Sequence, residues 1–259
     1  MDLGLKGKLA VVTGSTSGIG AAIARGLAAE GAKVVVNGRS RQGVDRAVEQ
    51  LREHGEVVGI PADVATAEGA DRLIAGVTAL GAPDILINNA GVWANKPFVE
   101  ITDDDWLQMF NTNVLSGVRL TRAFFPAMLA RGTGRVLFIA SEAGIKVVPE
   151  MIHYATTKTC YVTIARGLAE LTKGTAVTVN SLIVGPTMTE GVKTYLSTMG
   201  DVKEMETAYF EADAINSLLH RFARPEEVAD FAVFLCSARA GDINGAAQRC
   251  EGGIIRAIL

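Results

Sequence analysis

Short apolar runs alternate with longer amphipathic stretches along most of the 259 residues, and this alternation restricts the fold more than any other feature. Runs of five or six apolar residues are typical of parallel strands buried on both faces, and the amphipathic stretches suit the helical crossovers that parallel strands need. We therefore expect an α/β fold: a doubly wound parallel sheet with helices on both faces. The predicted strands are Lys8–Thr13, Lys33–Asn37, Val57–Pro61, Asp84–Asn88, Arg135–Ala140, Ala176–Leu182 and Ala246–Cys250.

The helices between these strands leave one irregular stretch. The pattern predicts helices at Gly18–Glu30, Arg41–His54, Ala67–Leu80, Asp103–Arg131, Tyr154–Thr172 and Pro225–Cys236. Pro186–Arg224 interrupts the alternation and is rich in Met, Tyr and Phe, which is typical of a lid or substrate loop. With no repeat or linker in view, we expect a single domain over residues 1–259.

Composition excludes several classes of function. The net charge is −3 and the basic residues are scattered, so nucleic acid is not an expected partner. Three cysteines without a CxxC pair and three histidines without HxxxH spacing predict neither a disulfide framework nor a metal site. Neither a signal peptide nor a membrane-spanning run is recognisable. We expect a soluble, cytoplasmic protein.

A glycine-rich turn, Thr13–Gly20, lies between the first strand and the first helix. Its GxxxGxG spacing allows a tight turn and a close approach of phosphate to the backbone, at a helix N-terminus that attracts anions. A plain glycine-rich turn is the alternative, but the placement at the first strand-to-helix junction favours a nucleotide site. The predicted contact residues are Gly14, Ser15, Ser17, Gly18, Ile19 and Gly20.

The residues at the end of the second predicted strand indicate which nucleotide the site binds. A carboxylate there would bind the ribose hydroxyls of NAD, but Val36–Arg41 contains none and instead carries Arg39, Ser40 and Arg41. Because a guanidinium pairs well with a phosphate, NADP(H) is favoured over NAD(H). Alternatively, Arg39 stacks on the adenine and Arg41 faces solvent.

A phenol and an ammonium group stand four residues apart at Tyr154 and Lys158, and would share one face of a helix. Ser141 follows a predicted strand, at the sheet edge where such folds bind ligands. Taken singly, the pair could be an ordinary surface pair and the serine a turn residue.

Together these motifs resemble the short-chain dehydrogenase/reductase family, in the short form typified by 3-oxoacyl-acyl-carrier-protein reductases. The resemblance extends over nearly the whole chain, through Thr13–Gly20, Asp63, Asn88–Gly91, Asn113, Ser141 and Tyr154–Lys158. It implies one Rossmann-like domain with about seven strands and NAD(P) bound at their carboxyl edge.

The resemblance also implies a role for each catalytic residue. Tyr154 would give the substrate oxygen its proton, and Lys158 would stabilise the phenolate and bind the nicotinamide ribose. Ser141 would orient the substrate oxygen, and Asn113 would hold a water linking Lys158 to solvent. Further cofactor contacts are implied at Asp63, Val64, Asn89, Ala90, Gly91 and Thr187. The Thr187 assignment is affected by a departure from the family pattern, since this chain reads Val184-Gly185-Pro186.

The resulting prediction is an NADP(H)-dependent oxidoreductase that moves hydride between nicotinamide and a carbonyl or secondary alcohol. A catalytically silent NAD(P)-binding regulator is the main alternative. A hydrolase using Ser141 and His153 is weaker, because the chain has no GxSxG motif.

The substrate is expected to be a moderately apolar ketone or alcohol, with thioester, steroid-like, sugar and aromatic compounds left open. Residues that could line its pocket are Trp93, Glu142, Ile145, Met151, Met188, Tyr195, Leu196, Met199, Tyr209 and Phe210, although core packing explains the Met and aromatic members equally well. The resemblance further implies a homotetramer, with a homodimer as the alternative.

Overall fold

The computed structural model describes residues 1–212 and 217–258. Within them, seven parallel strands form one sheet in the order β3-β2-β1-β4-β5-β6-β7. This confirms the predicted Rossmann-like α/β fold. The strands are β1 Leu9–Val12, β2 Lys33–Gly38, β3 Val57–Pro61, β4 Ile85–Asn88, β5 Thr133–Ser141, β6 Ala176–Val184 and β7 Ala247–Cys250.

Nine α-helices are found in the described part of the chain. They are α1 Gly18–Ala29, α2 Arg41–Leu51, α3 Ala67–Leu80, α4 Asp103–Phe110, α5 Ser116–Arg131, α6 Ile152–Glu170, α7 Glu190–Ser197, α8 Val202–Glu211 and α9 Pro225–Leu235. None of the helices described is long and apolar enough to cross a membrane.

Two predicted segments differ from the structure. The single helix expected over Asp103–Arg131 is interrupted by a π-helical turn at Asn111–Leu115. The stretch expected to be irregular contains two regular helices, α7 and α8, and each begins at a side-chain cap. The Thr189 side chain accepts a hydrogen bond from Val192 N, and the Asp201 side chain accepts from Lys203 N and Glu204 N. The remaining boundaries shift by a few residues, and Ser141 becomes the last residue of β5 rather than the first after it.

The sheet carries a hydrophobic core on each face. Along β1, Ala10 and Val12 pack into one cluster with α1 and α9, whereas Leu9 and Val11 pack into the other with α3, α5 and α6. Successive residues of a strand point to opposite faces of the sheet, so an uninterrupted apolar run supplies side chains to both cores.

The strand order reverses between β1 and β4, because the chain moves outward from β1 to β3 and then returns to β4 on the other side. Ligands of such sheets bind at the carboxyl ends of the strands at this reversal. Thr13 follows β1 and Asn89 follows β4, so the glycine-rich turn and the loop after β4 form the two walls of one cleft.

The tight packing between α5 and α6 gives a test of the core. A Cβ at Gly117 on α5 would lie 2.7 Å from Tyr161 Oη and 3.2 Å from Phe138 Cε1. We expect Gly117→Ala to lower the free energy of unfolding by about 1–3 kcal/mol through overpacking, as measured by chemical denaturation.

Gly167→Ala on α6 is the matched control, because a Cβ there meets nothing within 4 Å. It should leave stability unchanged or raise it by up to about 1 kcal/mol, since alanine favours helix over glycine. Equal stability of the two variants would contradict this account of the packing.

Candidate active site

The glycine-rich turn has the backbone that its sequence predicts. Gly14 and Gly18 adopt φ of 61° and 56°, in the left-handed region that favours glycine. A Cβ at Gly20 would overlap the carbonyl oxygen of Gly14 and lie 2.5 Å from Asn89 Nδ2. Ser17 precedes α1 but its side chain makes no capping hydrogen bond. The side chain of Ser17 therefore does not satisfy the free amide groups at the start of α1.

Ser15 differs from the other predicted contact residues in the turn, because its hydroxyl and its N–H already form hydrogen bonds within the protein. It is fully buried, its Oγ donates to Val12 O at 2.6 Å and accepts from Asn37 N, and its own N–H donates to Asn37 O. Asn37 in turn donates to Ile60 O and Ala62 O. Ser15 thus ties β1 to β2 and, through Asn37, to β3, and its side chain shapes the turn rather than facing a ligand.

Arg39 lies just beyond β2 and is exposed. No described carboxylate forms an ion pair with it, whereas Ser40 accepts a hydrogen bond from Gly43 N and caps α2. At the end of β3, Asp63 accepts from Ala65 N and Val64 is buried. Arg39 and Ser40 thus follow the end of β2, and Asp63 and Val64 follow the end of the neighbouring strand β3. All four lie on the side of the cleft formed by β1 to β3.

The loop after β4 is held to the glycine-rich turn by Thr13, a residue whose role the sequence did not reveal. Thr13 Oγ1 accepts hydrogen bonds from Asn89 N at 3.0 Å and Ala90 N at 2.9 Å. In return, Asn89 Nδ2 donates to Thr13 O and Gly14 O. Both walls of the cleft are therefore fixed relative to each other by four hydrogen bonds.

Asn113 connects the loop after β4 to α6. It lies in the π-helical turn, is fully buried, and forms a pair of hydrogen bonds with the backbone of Val92: Nδ2 donates to Val92 O and Oδ1 accepts from Val92 N, both at 2.8 Å. Nδ2 also donates to Thr157 Oγ1 on α6. Gly91 lies alongside, since a Cβ there would be 3.3 Å from Asn113 Oδ1 and 3.4 Å from Lys158 Nζ.

Ser141, Tyr154 and Lys158 come together where β5 ends and α6 begins. Lys158 is buried, its Nζ donates to Ile139 O of β5 at 2.8 Å, and it lies 5.7 Å from the centre of the Tyr154 ring. Ser141 Oγ accepts a hydrogen bond from Ala143 N and donates one to Glu142 Oε2 at 2.7 Å. The structure thus brings the four predicted catalytic residues, Asn113, Ser141, Tyr154 and Lys158, to one part of the cleft.

Burial dominates the electrostatics of this group. It raises the pKa of the Tyr154 phenol above 10; hydrogen bonding with Ser141 opposes the rise and the Glu142 carboxylate adds to it. Burial also lowers the pKa of Lys158 to about 8, an effect that Glu142 opposes. The stabilisation of the phenolate by Lys158, which the resemblance implies, stays a prediction.

Thr187 lies beyond β6 and is buried. Its Oγ1 donates to Gly185 O at 2.9 Å, and its backbone pairs with Ala223. A Cβ at Gly185 would lie 2.7 Å from the backbone of Glu251, so the Val184-Gly185-Pro186 sequence lets this segment pass close to the end of β7.

The predicted pocket residues differ in their surroundings. Leu196 and Phe210 are buried with Phe222 in a small core of their own, against which Met188 and Tyr209 pack. Ile145 and Met199 are exposed, and Met151 and Glu142 are half-buried. Trp93 and Tyr195 are exposed and meet edge to face with ring centres 5.2 Å apart, while Asn95 Nδ2 donates to Tyr195 Oη. The loop after β4 therefore contacts α7. No group of three or more His, Cys, Asp or Glu among the described residues could hold a metal ion.

Comparison with known proteins identifies the family. The model of the short chain dehydrogenase family matches residues 8–200, which is well over half of the chain. The chain belongs to the short-chain dehydrogenase/reductase family, and it is an NAD(P)-dependent oxidoreductase acting on CH–OH or carbonyl groups.

Relatives of this chain agree with that assignment. It is 49% identical to YvrD of Bacillus subtilis strain 168, an uncharacterised oxidoreductase, over 100% of both chains. The crystal structure of L-sorbose reductase from Gluconobacter frateurii, complexed with NADPH and L-sorbose, is 36% identical over 100% of both chains, with a TM-score of 0.92. A 3-oxoacyl (acyl-carrier-protein) reductase from Agrobacterium tumefaciens C58 with NADP bound is 29% identical, with 97% and 95% of the two chains covered and a TM-score of 0.89.

The hydrogen bonds of Asn113 give a prediction that needs no substrate. Asn113→Ala removes the partner of Val92 N–H and leaves Val92 O without its donor. We expect the Val92 amide to exchange with deuterium at least about tenfold faster and the protein to lose about 1–3 kcal/mol of stability. Hydrogen-exchange mass spectrometry of the segment containing Val92 measures the first effect.

Asn111→Ala is the control, because Asn111 lies in the same π-helical turn but contacts Arg119 rather than Val92. It should leave exchange at Val92 unchanged. Equal acceleration in both variants would mean that loosening of the turn, rather than loss of the Asn113 bonds, controls the loop.

Proposed function

We propose that this oxidoreductase prefers NADP(H) to NAD(H) and reduces a ketone to a secondary alcohol, with Tyr154 supplying the proton. Bound NADP(H) provides or accepts the hydride. The observation that carries the proposal is the meeting of Ser141, Tyr154 and Lys158 at the carboxyl edge of the sheet, beside the glycine-rich turn.

The glycine-rich turn and Arg39 fit a phosphorylated dinucleotide. Gly20 has no room for a side chain, which suits a backbone that approaches a pyrophosphate, and the N-terminus of α1 presents amide groups to an anion. Arg39 has no carboxylate partner among the described residues and would pair with the 2′-phosphate. Asp63, Val64, Ala90 and Thr187 would contact the remaining parts of the cofactor.

Tyr154 is suited to act as the acid. A phenol whose pKa lies above 10 stays protonated through the physiological range and can give its proton to a substrate oxygen. A buried ammonium group next to it favours the negative charge that remains on the phenol oxygen as the proton leaves. Ser141 would hydrogen-bond the same substrate oxygen, and Asn113 would keep the surrounding loop and α6 in place.

The named relatives guide the search for the substrate. A keto sugar such as L-sorbose and a 3-oxoacyl thioester are the first compounds to test, because relatives are named for them. A cyclic ketone is the third, because the exposed rings of Trp93 and Tyr195 lie near the cleft. The homotetramer stays a prediction; exposed Phe98, Val99 and Leu107 offer apolar surface for it.

Cofactor preference is tested by Arg39→Ala. We expect the variant to bind NADPH at least about tenfold more weakly, because a charge-assisted pair with the phosphate is lost, and to bind NADH as the parent does. Fluorescence titration with each nucleotide measures both affinities. Arg46→Ala, an equally exposed arginine on α2, is the control and should change neither. Unchanged NADPH affinity in Arg39→Ala would contradict the proposed contact.

The acid is tested by Tyr154→Phe. Removing the hydroxyl should lower kcat for ketone reduction by about 10²–10⁴-fold while NADPH affinity stays near that of the parent. Tyr161→Phe on the same helix is the control for loss of a hydroxyl beside Lys158. Lys158 Nζ lies 5.4 Å from the centre of its ring, but that ring packs against Phe138 and its Oη lies near Gly117. Substantial turnover by Tyr154→Phe would rule out Tyr154 as the proton donor.

A further inference from the structure

The carboxyl group of Glu142 lies against the serine that is proposed to bind the substrate oxygen. Glu142 follows Ser141 at the end of β5 and is half-buried, and its Oε2 accepts a hydrogen bond from Ser141 Oγ at 2.7 Å. The phenol of Tyr154 is hydrogen-bonded to the same hydroxyl. Ser141 Oγ therefore contacts both the proposed proton donor and a carboxyl group.

Binding of a ketone changes the hydrogen bonds of this group. A serine hydroxyl has one proton to donate, and Ser141 donates it to Glu142 in the structure. In the proposed reaction the same proton turns to the carbonyl oxygen of the substrate. Glu142 Oε2 then loses its donor, and leaving a half-buried polar group without a partner costs free energy. A substrate that brings its own donor to this oxygen restores the lost hydrogen bond.

Glu142 has the capacity to accept such a donor. A carboxyl group offers about four acceptor positions. The Ser141 hydroxyl occupies one of them, and the backbone N–H groups of Glu142 itself and of Ala143 are also hydrogen-bonded to the carboxyl. A further position is therefore available to a ligand even before the Ser141 proton turns away.

The carboxyl group of Glu251, which interacts electrostatically with Glu142, is used differently. It is buried beyond β7, and its Oε1 accepts a hydrogen bond from Arg249 Nε at 2.9 Å. Its Oε2 accepts hydrogen bonds from Ile254 N and Ile255 N. These bonds hold the chain segment after β7, whereas the hydrogen bonds of Glu142 involve the active-site serine and its own turn. Of these two carboxyl groups, Glu142 is the one placed to meet a substrate.

We propose that Glu142 is a specificity-determining residue that accepts a hydrogen bond from a hydroxyl group on the carbon next to the substrate carbonyl. The enzyme would then prefer α-hydroxy ketones to ketones without that hydroxyl. This inference rests on the proposed reductase function and narrows its substrate class.

The shape of an α-hydroxy ketone suits the two groups. When its two oxygens point the same way, they are separated by about the length of an O–H···O hydrogen bond, which is also the separation of Ser141 Oγ and Glu142 Oε2. One molecule can therefore place its carbonyl oxygen on Ser141 and its hydroxyl on Glu142. A keto sugar such as L-sorbose carries such a hydroxyl in its open-chain form, whereas a 3-oxoacyl thioester does not.

Three small ketones that differ in one substituent test this preference. 1-Hydroxy-2-propanone carries the hydroxyl, 1-methoxy-2-propanone keeps the oxygen but has no proton to donate, and 2-butanone has a methyl group in its place. With NADPH, we expect kcat/KM of the parent to be at least about tenfold higher for 1-hydroxy-2-propanone than for the other two, because a site that hydrogen-bonds a substrate hydroxyl rejects analogues without it.

Two variants separate contact with the substrate from an effect on Ser141. Glu142→Leu removes the acceptor and should lower the ratio of kcat/KM for the hydroxy ketone to that for the methoxy ketone by at least about tenfold. Glu142→Gln keeps an amide oxygen that accepts, and should hold the ratio within about threefold of the parent. Glu150→Leu replaces an exposed glutamate of the same loop and is the control, with an unchanged ratio. NADPH affinity, measured by fluorescence titration, should be the same in all four proteins.

The outcomes separate this inference from the proposed reaction. If the parent reduces all three ketones equally well, or reduces a 3-oxoacyl thioester alone, the role of Glu142 is overturned while the reductase function stands. An equal loss on all three ketones in Glu142→Leu would also overturn it, because Glu142 would then act only by orienting Ser141. If the parent reduces none of these compounds and no keto sugar, the proposed function itself fails. The comparison of ketones in the parent needs no variant to fold.

Discussion

The buried amide of Asn113 is the interaction on which the geometry of the active site depends. It forms hydrogen bonds with both backbone groups of Val92 and with Thr157 of α6, so one side chain fixes the loop after β4 against the helix that carries Tyr154 and Lys158. Asn113 lies in a π-helical turn within an otherwise helical segment, and such turns are common at functional sites. Loss of this amide would free two of the elements that line the cleft.

The cleft also concentrates groups that are costly to bury. Tyr154 and Glu142 are half-buried and Lys158 is buried, and desolvation shifts the pKa of each in the direction that favours its neutral form. Lys158 is compensated by the carbonyl of Ile139, and Glu142 by Ser141. Shifted pKa values of this kind are common at sites that transfer protons.

Much of this arrangement could be predicted from the sequence, because it follows from topology. The alternation of apolar and amphipathic segments indicated the parallel sheet, and residues at the carboxyl ends of parallel strands must share one edge. The π-helical turn could not be predicted, since apolar spacing does not distinguish it from an α-helix. The helices α7 and α8 were missed although Thr189 and Asp201 are recognisable caps. The binding of Ser15 to Asn37 and of Thr13 to Asn89 depends on contacts between distant strands, which spacing along the chain does not reveal.

The central claim is that Tyr154 and Ser141 bind one substrate oxygen beside the nucleotide. A crystal structure of the protein with NADP(H) and a ketone or alcohol that it turns over tests this most directly. The account predicts that the substrate oxygen lies within about 2.6–3.2 Å of both Tyr154 Oη and Ser141 Oγ, with its carbon facing the nicotinamide. A substrate oxygen bound by other groups, with Tyr154 out of reach, would contradict it.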